Sequence, residues 1–349
     1  MAGALTPEFV FSLESNMRLV SNQEFDRLSK ESYWQMIAKT LQSSAKKERI
    51  SWLLDSASLN DYVEEGNVEF EEMVALTTEY ESKHVTKGLR VNRSKFEDLD
   101  GNGVQLATNW TRQQSALFAY WPQKQLAKAI LSGETTEAYD GENYFSDAHP
   151  NNPFDDAAGT YSNIHTAGSG AGACPIDDSV SLEEAMENLG KLIAYIEGAI
   201  KMPNGEDPRM LRVARLVVPP RMKVRAQQLT NAKFIAQDSK GGGGGSADVE
   251  AVISNWELSP PIVARELGSA FGGSDTSFYL LCENILTSEL GAFTYVQREP
   301  FSITYYTGRG GGTGVDAILD RANELEWHSR GRNVIGLGHP FLMHLCKAV

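Results

Sequence analysis

The chain has 349 residues, 41% of them apolar, and a formal net charge of −14, with a pI of about 5.0 and a mean hydropathy of −0.33. That allows a sizeable core in one large domain or two modest ones, and the acidic balance argues against a protein that coats duplex DNA or an anionic membrane, which needs a basic surface. Residues Met1 to Pro7 hold no basic segment followed by a long apolar run, so no signal peptide is expected. No stretch approaches the roughly 20 apolar residues of a membrane span. Cys174, Cys282 and Cys346 are odd in number and far apart, which fits neither a disulfide framework nor a zinc pattern; a reducing compartment during synthesis is the expected setting.

Residues 1–50 read as an arm. Leu5, Phe9, Phe11, Leu13, Met17 and Leu19 alternate irregularly with polar residues, and Tyr33, Trp34, Met36 and Ile37 follow. Two arrangements fit: a helical pair in its own core, or an extension that buries its apolar side on a neighbour. After Glu64-Glu65-Gly66 the spacing turns strand-like. Val85, Leu89 and Val91 alternate with Thr86, Arg90 and Asn92, the period-two pattern of a half-buried strand. Paired with residues 74–80, it would form a long two-stranded ribbon. An isolated ribbon is marginal in water, so this one needs a surface to lie on, a neighbouring chain included.

Phe96 to Gly103 turns the chain into a long helix. Leu106, Trp110, Leu117 and Trp121, with Ala107 and Phe118 beside them, recur at helical intervals and form its expected apolar face. Pro122 lacks an amide hydrogen and is expected to end or kink it, with helix resuming from Gln123 to Leu131 before Ser132-Gly133. Straightened, the two pieces would span roughly 40 Å at about 1.5 Å per residue. The stretch reads as a spine.

Tyr139 to Pro150 is a polar turn region, and loop follows to Gly172. Ser181-Leu-Glu-Glu184 matches a capping box, opening a helix to about Ile200 with Leu182, Met186, Leu189, Ile193 and Ile196 on one face. Leu211 to Val218 reads as a buried strand before Pro219-Pro220, and Met222 to Ala236 as helix. Lys240 meets five glycines and a serine, a low-complexity run. Further strands are expected at Val249 to Leu258, Phe278 to Cys282, Ala292 to Val296, Phe301 to Tyr306 and Trp327 to Leu337, with a turn at Gly338 to Pro340. The fold class is α+β.

Few residues suggest chemistry. Neither glycine run, Gly241 to Gly245 or Gly308 to Gly314, has the Lys-Ser/Thr of a phosphate loop or the Gly-x-Gly-x-x-Gly spacing of a dinucleotide site. Asp147 and His149 could set a carboxylate beside an imidazole, but a turn with local hydrogen bonds suits them better than a metal site, which needs more ligands. His165, His328, His339 and His344 are expected at the surface or satisfied in the core. Cys282, inside the apolar run Tyr279-Leu-Leu-Cys282, suits a buried small hydrophobe better than a thiol nucleophile, as does Cys346. The pairs Glu64-Glu65 and Glu71-Glu72 read as solvated faces. No catalytic, cofactor-binding or metal-ligating residue is assigned, and the chain is not expected to be an enzyme.

Several residues together resemble one family. Trp52, Val91-Asn92-Arg93, Phe96-Glu97-Asp98, Pro122 within the spine and the run Tyr139-Asp-Gly-Glu-Asn-Tyr-Phe-Ser-Asp-Ala-His-Pro150 are similar to the Mu-like tailed-phage major head subunits. So are Asn204 to Pro220, with Leu216-Val-Val-Pro-Pro220, and the closing Arg330-Gly-Arg-Asn-Val-Ile-Gly-Leu-Gly-His-Pro340. The resemblance runs over residues 50–345 and is weakest in the first 50 residues and the glycine runs. It implies a major capsid protein of Hong Kong 97-type fold: N-terminal arm (1–50), extended loop or β-hairpin (51–100), peripheral domain with the spine helix (101–205), axial domain (206–320), and return strand with C-terminal tail (321–349). It also implies pentamers and hexamers in an icosahedral head shell around double-stranded DNA, without sequence-specific binding or membrane contact. Because the spine begins near residue 104, a separate scaffold and maturation protease are the expected partners, beside a portal and a decoration protein. The implied location is the virion, with assembly in the host bacterial cytoplasm, and the negative charge would limit adhesion to the packaged genome. Three other readings stand beside this one: an encapsulin-like bacterial compartment shell, a hydrolase using Cys282, and a soluble binding module.

Overall fold

The alternating and helical spacings of this chain resolve into two mixed layers. The computed structural model describes residues 7–53, 75–99, 102–231, 258–286, 291–305 and 324–347. In chain order these form α1 (Pro7–Glu31), α2 (Trp34–Ile37), β1 (Ala38–Gln42), β2 (Lys47–Leu53), β3 (Ala75–Glu81), β4 (Lys83–Asn92), α3 (Arg93–Asp98), α4 (Asn102–Leu131), β5 (His149–Pro150), β6 (Thr160–Tyr161), β7 (Ile164–His165), α5 (Leu182–Gly198), β8 (Leu211–Val218), α6 (Lys223–Asn231), β9 (Ile262–Val263), β10 (Phe278–Asn284), β11 (Phe293–Tyr305), β12 (Glu324–Leu337) and β13 (Met343–Cys346). One sheet has the order β1-β11-β12-β4 and the other β7-β13-β10-β8-β9; β2 pairs only with β3, and β5 with β6. The α+β class is as the sequence indicates.

The second sheet holds the larger core. Its strand β8 lies between β10 and β9 and ends in the fully buried run Leu216-Val217-Val218, as expected of a strand covered on both faces there. α5 lies against β8 with Leu189, Leu192, Ile193 and Ile196 buried. The predicted cap is present: the Glu184 amide donates to Ser181 Oγ at 3.1 Å. A smaller core gathers Val10, Leu13 and Met17 of α1, Phe96 of α3, Ala107 of α4, Ile303 of β11, and Leu325 and Trp327 of β12. The leading segment is therefore no helical pair in a core of its own: α1 is one long helix lying along α4 of the same chain.

Three expectations are corrected. Pro122 does not end the spine: α4 is one helix of 30 residues with the proline inside it. Proline cannot donate to the carbonyl four residues back, a cost of roughly 3 kcal/mol in a free helix, but Pro122 is buried between Phe118 and Leu126 on the packed face. That face is the second correction. It runs through Ala107, Thr111, Ser115, Phe118, Pro122, Leu126 and Ile130, whereas Leu106 and Leu117 are 50% and 60% exposed. Small and polar residues line the buried face because α1 approaches closely there, with Ser115 Oγ donating to Ser21 Oγ at 2.9 Å.

The third correction concerns the ribbon. β4 pairs with β12, from Asn92 opposite Glu324 to Lys83 opposite Asn333, and β3 pairs with β2, from Lys47 opposite Glu81 to Leu53 opposite Ala75. A hairpin exists, but one strand earlier than the alternation suggested. Likewise the two short strands expected at 292–296 and 301–306 are one strand, β11, with register shifts between Gln297 and Ser302; Pro300 in that stretch has no amide to donate, and such interruptions occur at bulges. The expected strand at 249–258, the helix beyond Asn231 and both glycine runs lie outside the described residues.

The reassigned helix face makes a direct prediction. Leu126, at 0% exposure, is expected to cost roughly 2–5 kcal/mol on change to alanine, and Leu106→Ala to fall within about 0.5 kcal/mol of wild type. Denaturant unfolding of the protein measures both; equal losses would restore the face read from periodicity.

Candidate functional site

Among the described residues there is no cleft with paired catalytic groups; what they present is the two-stranded β2–β3 hairpin, its anchorage, and apolar residues left on the outside of helices. β2 and β3 pair only with each other, and residues 54–74 between them lie outside the described residues. Their exposed side chains are held by ion pairs: Lys46 Nζ to Glu81 at 3.0 Å, Lys47 Nζ to Glu79 at 2.5 Å and Arg49 Nε to Glu79 at 3.2 Å. Lys47 raises its own affinity for protons by bonding Glu79, whose carboxyl is lowered in return by Lys47 and Arg49. In full solvent such pairs align the strands and add little stability.

Anchorage is at the base. The Ser82 amide donates to Lys46 O at 3.1 Å and the Ser43 amide to Gln297 O at 3.0 Å. Tyr80 is buried, its hydroxyl donates to Leu337 O, and burial raises its phenol above the usual value. The ring lies against Gly336 of β12, where an added Cβ would sit 2.0 Å from Tyr80 Cε1. A glycine is required there because another chain segment fills the space of a side chain.

A second junction ties the spine to the loop before β10. The Glu266 carboxylate, 2% exposed, accepts from Tyr120 Oη at 2.6 Å, Tyr33 Oη at 2.8 Å and Gln123 Nε2 at 2.9 Å. Burial opposes its charge, but hydrogen bonds from Tyr120, Gln123 and Tyr33 together outweigh that and hold the carboxyl below its usual range. The same contact, with burial, pushes Tyr120 up to about 12 and Tyr33 higher still. Nothing in the local sequence around Glu266 marks this junction; its three donors come from positions more than 140 residues away.

The residues examined for chemistry fall apart. His149 Nδ1 is 2.6 Å from Asp140 Oδ2 and its Nε2 is 3.2 Å from Tyr144 O, so its carboxylate partner is Asp140, not Asp147. His339 is buried beside Tyr139, with burial and Arg209 lowering its pKa to about 3. His165 and His344 face one another in the second sheet, while His328 is near Glu326 on the first. All three cysteines are buried. Burial, then Glu197 and Glu283, drives the Cys282 thiol far above its usual value, and Cys346 is likewise raised by burial. A thiol so held is not a nucleophile at neutral pH. Glu64, Glu65, Glu71 and Glu72 lie outside the described residues. Among the described residues no group of three or more His, Cys, Asp or Glu is placed to hold a metal ion, and no helix is long and apolar enough to cross a membrane.

Comparison with known proteins bears on these surfaces. The family described as Mu-like prophage major head subunit gpT matches residues 13–183, a span from α1 through the hairpin and α4 to the start of α5. No curated protein matches the sequence. Among solved structures, the chain is similar to the bacteriophage JBD30 capsid (11% identity, TM-score 0.43, covering 91% of this chain and 65% of that one). It is similar to the capsid of the cyanophage P-SCSP1u (11%, 0.49, 88% and 84%) and to a virus-like particle from Pyrococcus furiosus (9%, 0.46, 95% and 98%). The chain thus spans 65% of the length of the JBD30 capsid chain.

Two outcomes are expected at the junctions. Glu266→Ala leaves Tyr33, Tyr120 and Gln123 without their shared acceptor and should destabilise the subunit by roughly 1–3 kcal/mol. Because the Glu266 pKa is depressed on folding, its contribution is present above the usual carboxylate value and is lost as pH falls through the lowered one. The wild-type advantage over the variant should therefore shrink in acid, as unfolding curves at successive pH values would record. Gly336→Ala should displace Tyr80 and loosen the hairpin base, read as faster amide exchange at residues 75–82 with the α5–β8 core unchanged.

Proposed function

We infer that this chain is a major capsid protein, because the model of the Mu-like prophage major head subunit family matches it over residues 13–183. That match is the observation that carries the reading, and it supports a structural subunit over an enzyme. The subunit assembles with copies of itself, as pentamers and hexamers, into an icosahedral head shell of Hong Kong 97 type that encloses double-stranded DNA. Residues 1–50 act as the arm, 51–100 as the extended loop, 101–205 as the peripheral domain, 206–320 as the axial domain and 321–349 as the return strand and tail.

Physical features support the assignment. A two-stranded hairpin with no third strand is marginal alone, so β2–β3 is stabilised when a neighbouring subunit covers it. Leu106 and Leu117 on α4 and Leu19 on α1 are 50%, 60% and 57% exposed, apolar area that a shell contact removes from water. A shell joins each copy to several others, so individual contacts remain modest while loss of one subunit breaks several together. The net charge of −14 disfavours binding to the packaged genome. A scaffold, a maturation protease, a portal and a decoration protein complete the set of partners, and assembly takes place in the host cytoplasm before the virion leaves.

Negative-stain microscopy of the purified full chain should show closed shells. Replacing residues 54–74 by a short glycine-serine turn should leave unfolding of the subunit unchanged and abolish the shells. Shells formed equally well without the segment would overturn its assigned role, and a protein that stays monomeric at high concentration would overturn the reading as a whole. Particles filled with protein cargo rather than DNA would identify a compartment shell instead.

A further inference from the structure

His165 of β7 and His344 of β13 are both at 0% exposure, with ring centroids 5.3 Å apart and planes at 22°. Hydrogen bonds define which nitrogens carry protons. The Ala171 amide donates to His165 Nδ1 at 3.0 Å, so that nitrogen presents a lone pair and the ring proton sits on Nε2. His165 Nε2 lies 3.2 Å from His344 Nδ1, which therefore accepts. His344 Nε2 then donates to Phe341 O at 3.2 Å. The series from Ala171 through both rings to Phe341 is complete with one proton on each imidazole. An added proton can enter only at His165 Nδ1 or His344 Nδ1, and each already receives an N–H. Its arrival sets two donors against each other in a buried site.

The surroundings offer no easy accommodation. Gly170, at φ +59°, brings the loop so close that an added Cβ would lie 2.4 Å from His165 Nδ1. Tyr195 of α5 meets the His165 ring edge-on at 5.3 Å, and Leu280 of β10 stands opposite His344. The other titratable groups about the pair are the buried thiols of Cys174 and Cys346, the exposed amine of Lys347 held by Glu134, and His149 bonded to Asp140. Among the described residues no carboxylate hydrogen-bonds to either ring. Consistent with that geometry, burial lowers the His165 pKa to about 4, and burial with the neighbouring His165 takes His344 well below the usual value.

β7 is the edge of its sheet and has only two residues, Ile164 and His165, paired in parallel with Leu345 and Cys346. Backbone bonds from Leu345 N to Asn163 O at 2.8 Å and from Lys347 N to His165 O at 3.1 Å add to that attachment. So short a strand depends on its side chains for its place. We propose that the His165–His344 pair is an acid-opened latch: neutral, it holds β7 and the loop 166–172 to the C-terminal strand β13, and uptake of one proton from solvent releases that edge while β8 and β10 stay paired. This is independent of the shell reading and holds for the isolated subunit.

The direction follows from linkage. In the open form the imidazole titrates near its ordinary 6.5, in the closed form near 4; between those values the open form binds the extra proton, so acid favours opening. Hydrogen exchange of the full chain, corrected for intrinsic rates, should show protection at Ala171, Leu345 and Lys347 falling roughly tenfold per pH unit across that window for one linked proton, while β8 and β10 amides keep theirs. The double variant His165→Gln/His344→Gln retains an acceptor and a donor at each position without a titrating group, and should lose the pH dependence. Should that variant fail to fold, nitrogen NMR of the wild-type rings decides: both remain neutral, with the proton on Nε2, below pH 5 if the latch exists. Rings that titrate near 6.5, protection unchanged through the window, or a slope that persists in the double variant would each overturn the proposal.

Discussion

The seating of α4 across the paired strands β11 and β12 is the contact from which the other elements take their positions. Phe118 of α4 stacks on Phe301 of β11 at 4.1 Å between centroids, Phe25 of α1 meets the same ring at 5.8 Å, and Phe96 of α3 lies 6.3 Å from Trp327 of β12. Each large aromatic buries 150–250 Å², so at about 25 cal/mol per Å² the gain is roughly 4–6 kcal/mol per ring as an upper estimate. That outweighs the exposed ion pairs of the hairpin by a wide margin. Once the helix is seated, α1 has a groove to lie in, β4 has β12 as its partner, and the hairpin base meets the far end of β12 at Gly336.

Buried polar junctions give these layers a unique register. Glu266 draws donors from the turn after α1 and from α4, and Asn163 Nδ2 bonds the carbonyls of Tyr144 and Pro340 at 2.7 and 3.1 Å. A hydrogen bond of this kind adds about 1 kcal/mol net, but leaving its partner unmet in the interior costs more. Such groups therefore penalise a slipped arrangement more strongly than they reward the native one.

The proposed shell role asks that the chain be stable alone and still incomplete. The two requirements fall in different places. Stability resides in the α5–β8 core and the helix–strand seat, both closed within one chain. Incompleteness resides in the hairpin, which pairs with no third strand among the described residues, and in the exposed Leu19, Leu106 and Leu117. On the proposed role, a neighbouring copy covering these surfaces would gain apolar burial without unfolding either core.

Composition, the period of apolar residues and turn chemistry were sufficient for the α+β class, two helical stretches on either side of Pro122, the helix at 182–198, the strand at 211–218 and the Ser181 cap, because each depends on neighbours within a few positions. The family resemblance was carried by local runs such as Tyr139 to Pro150. What the linear pattern could not specify was partnership. Alternation in Val85 to Val91 marks a strand but not that β12, over 230 residues later, would outcompete β3 for it. Apolar spacing in α4 suggests a face through Leu106 and Leu117, yet the buried one is turned toward Ala107, Thr111, Ser115 and Phe118, where α1 packs. Asp140 rather than Asp147 meets His149, and Glu266 collects its phenols, because side-chain electrostatics act over distances in space that the order of residues does not record. Local conformational preference is written in the sequence; the choice among competing burials is made only when all of them are present together.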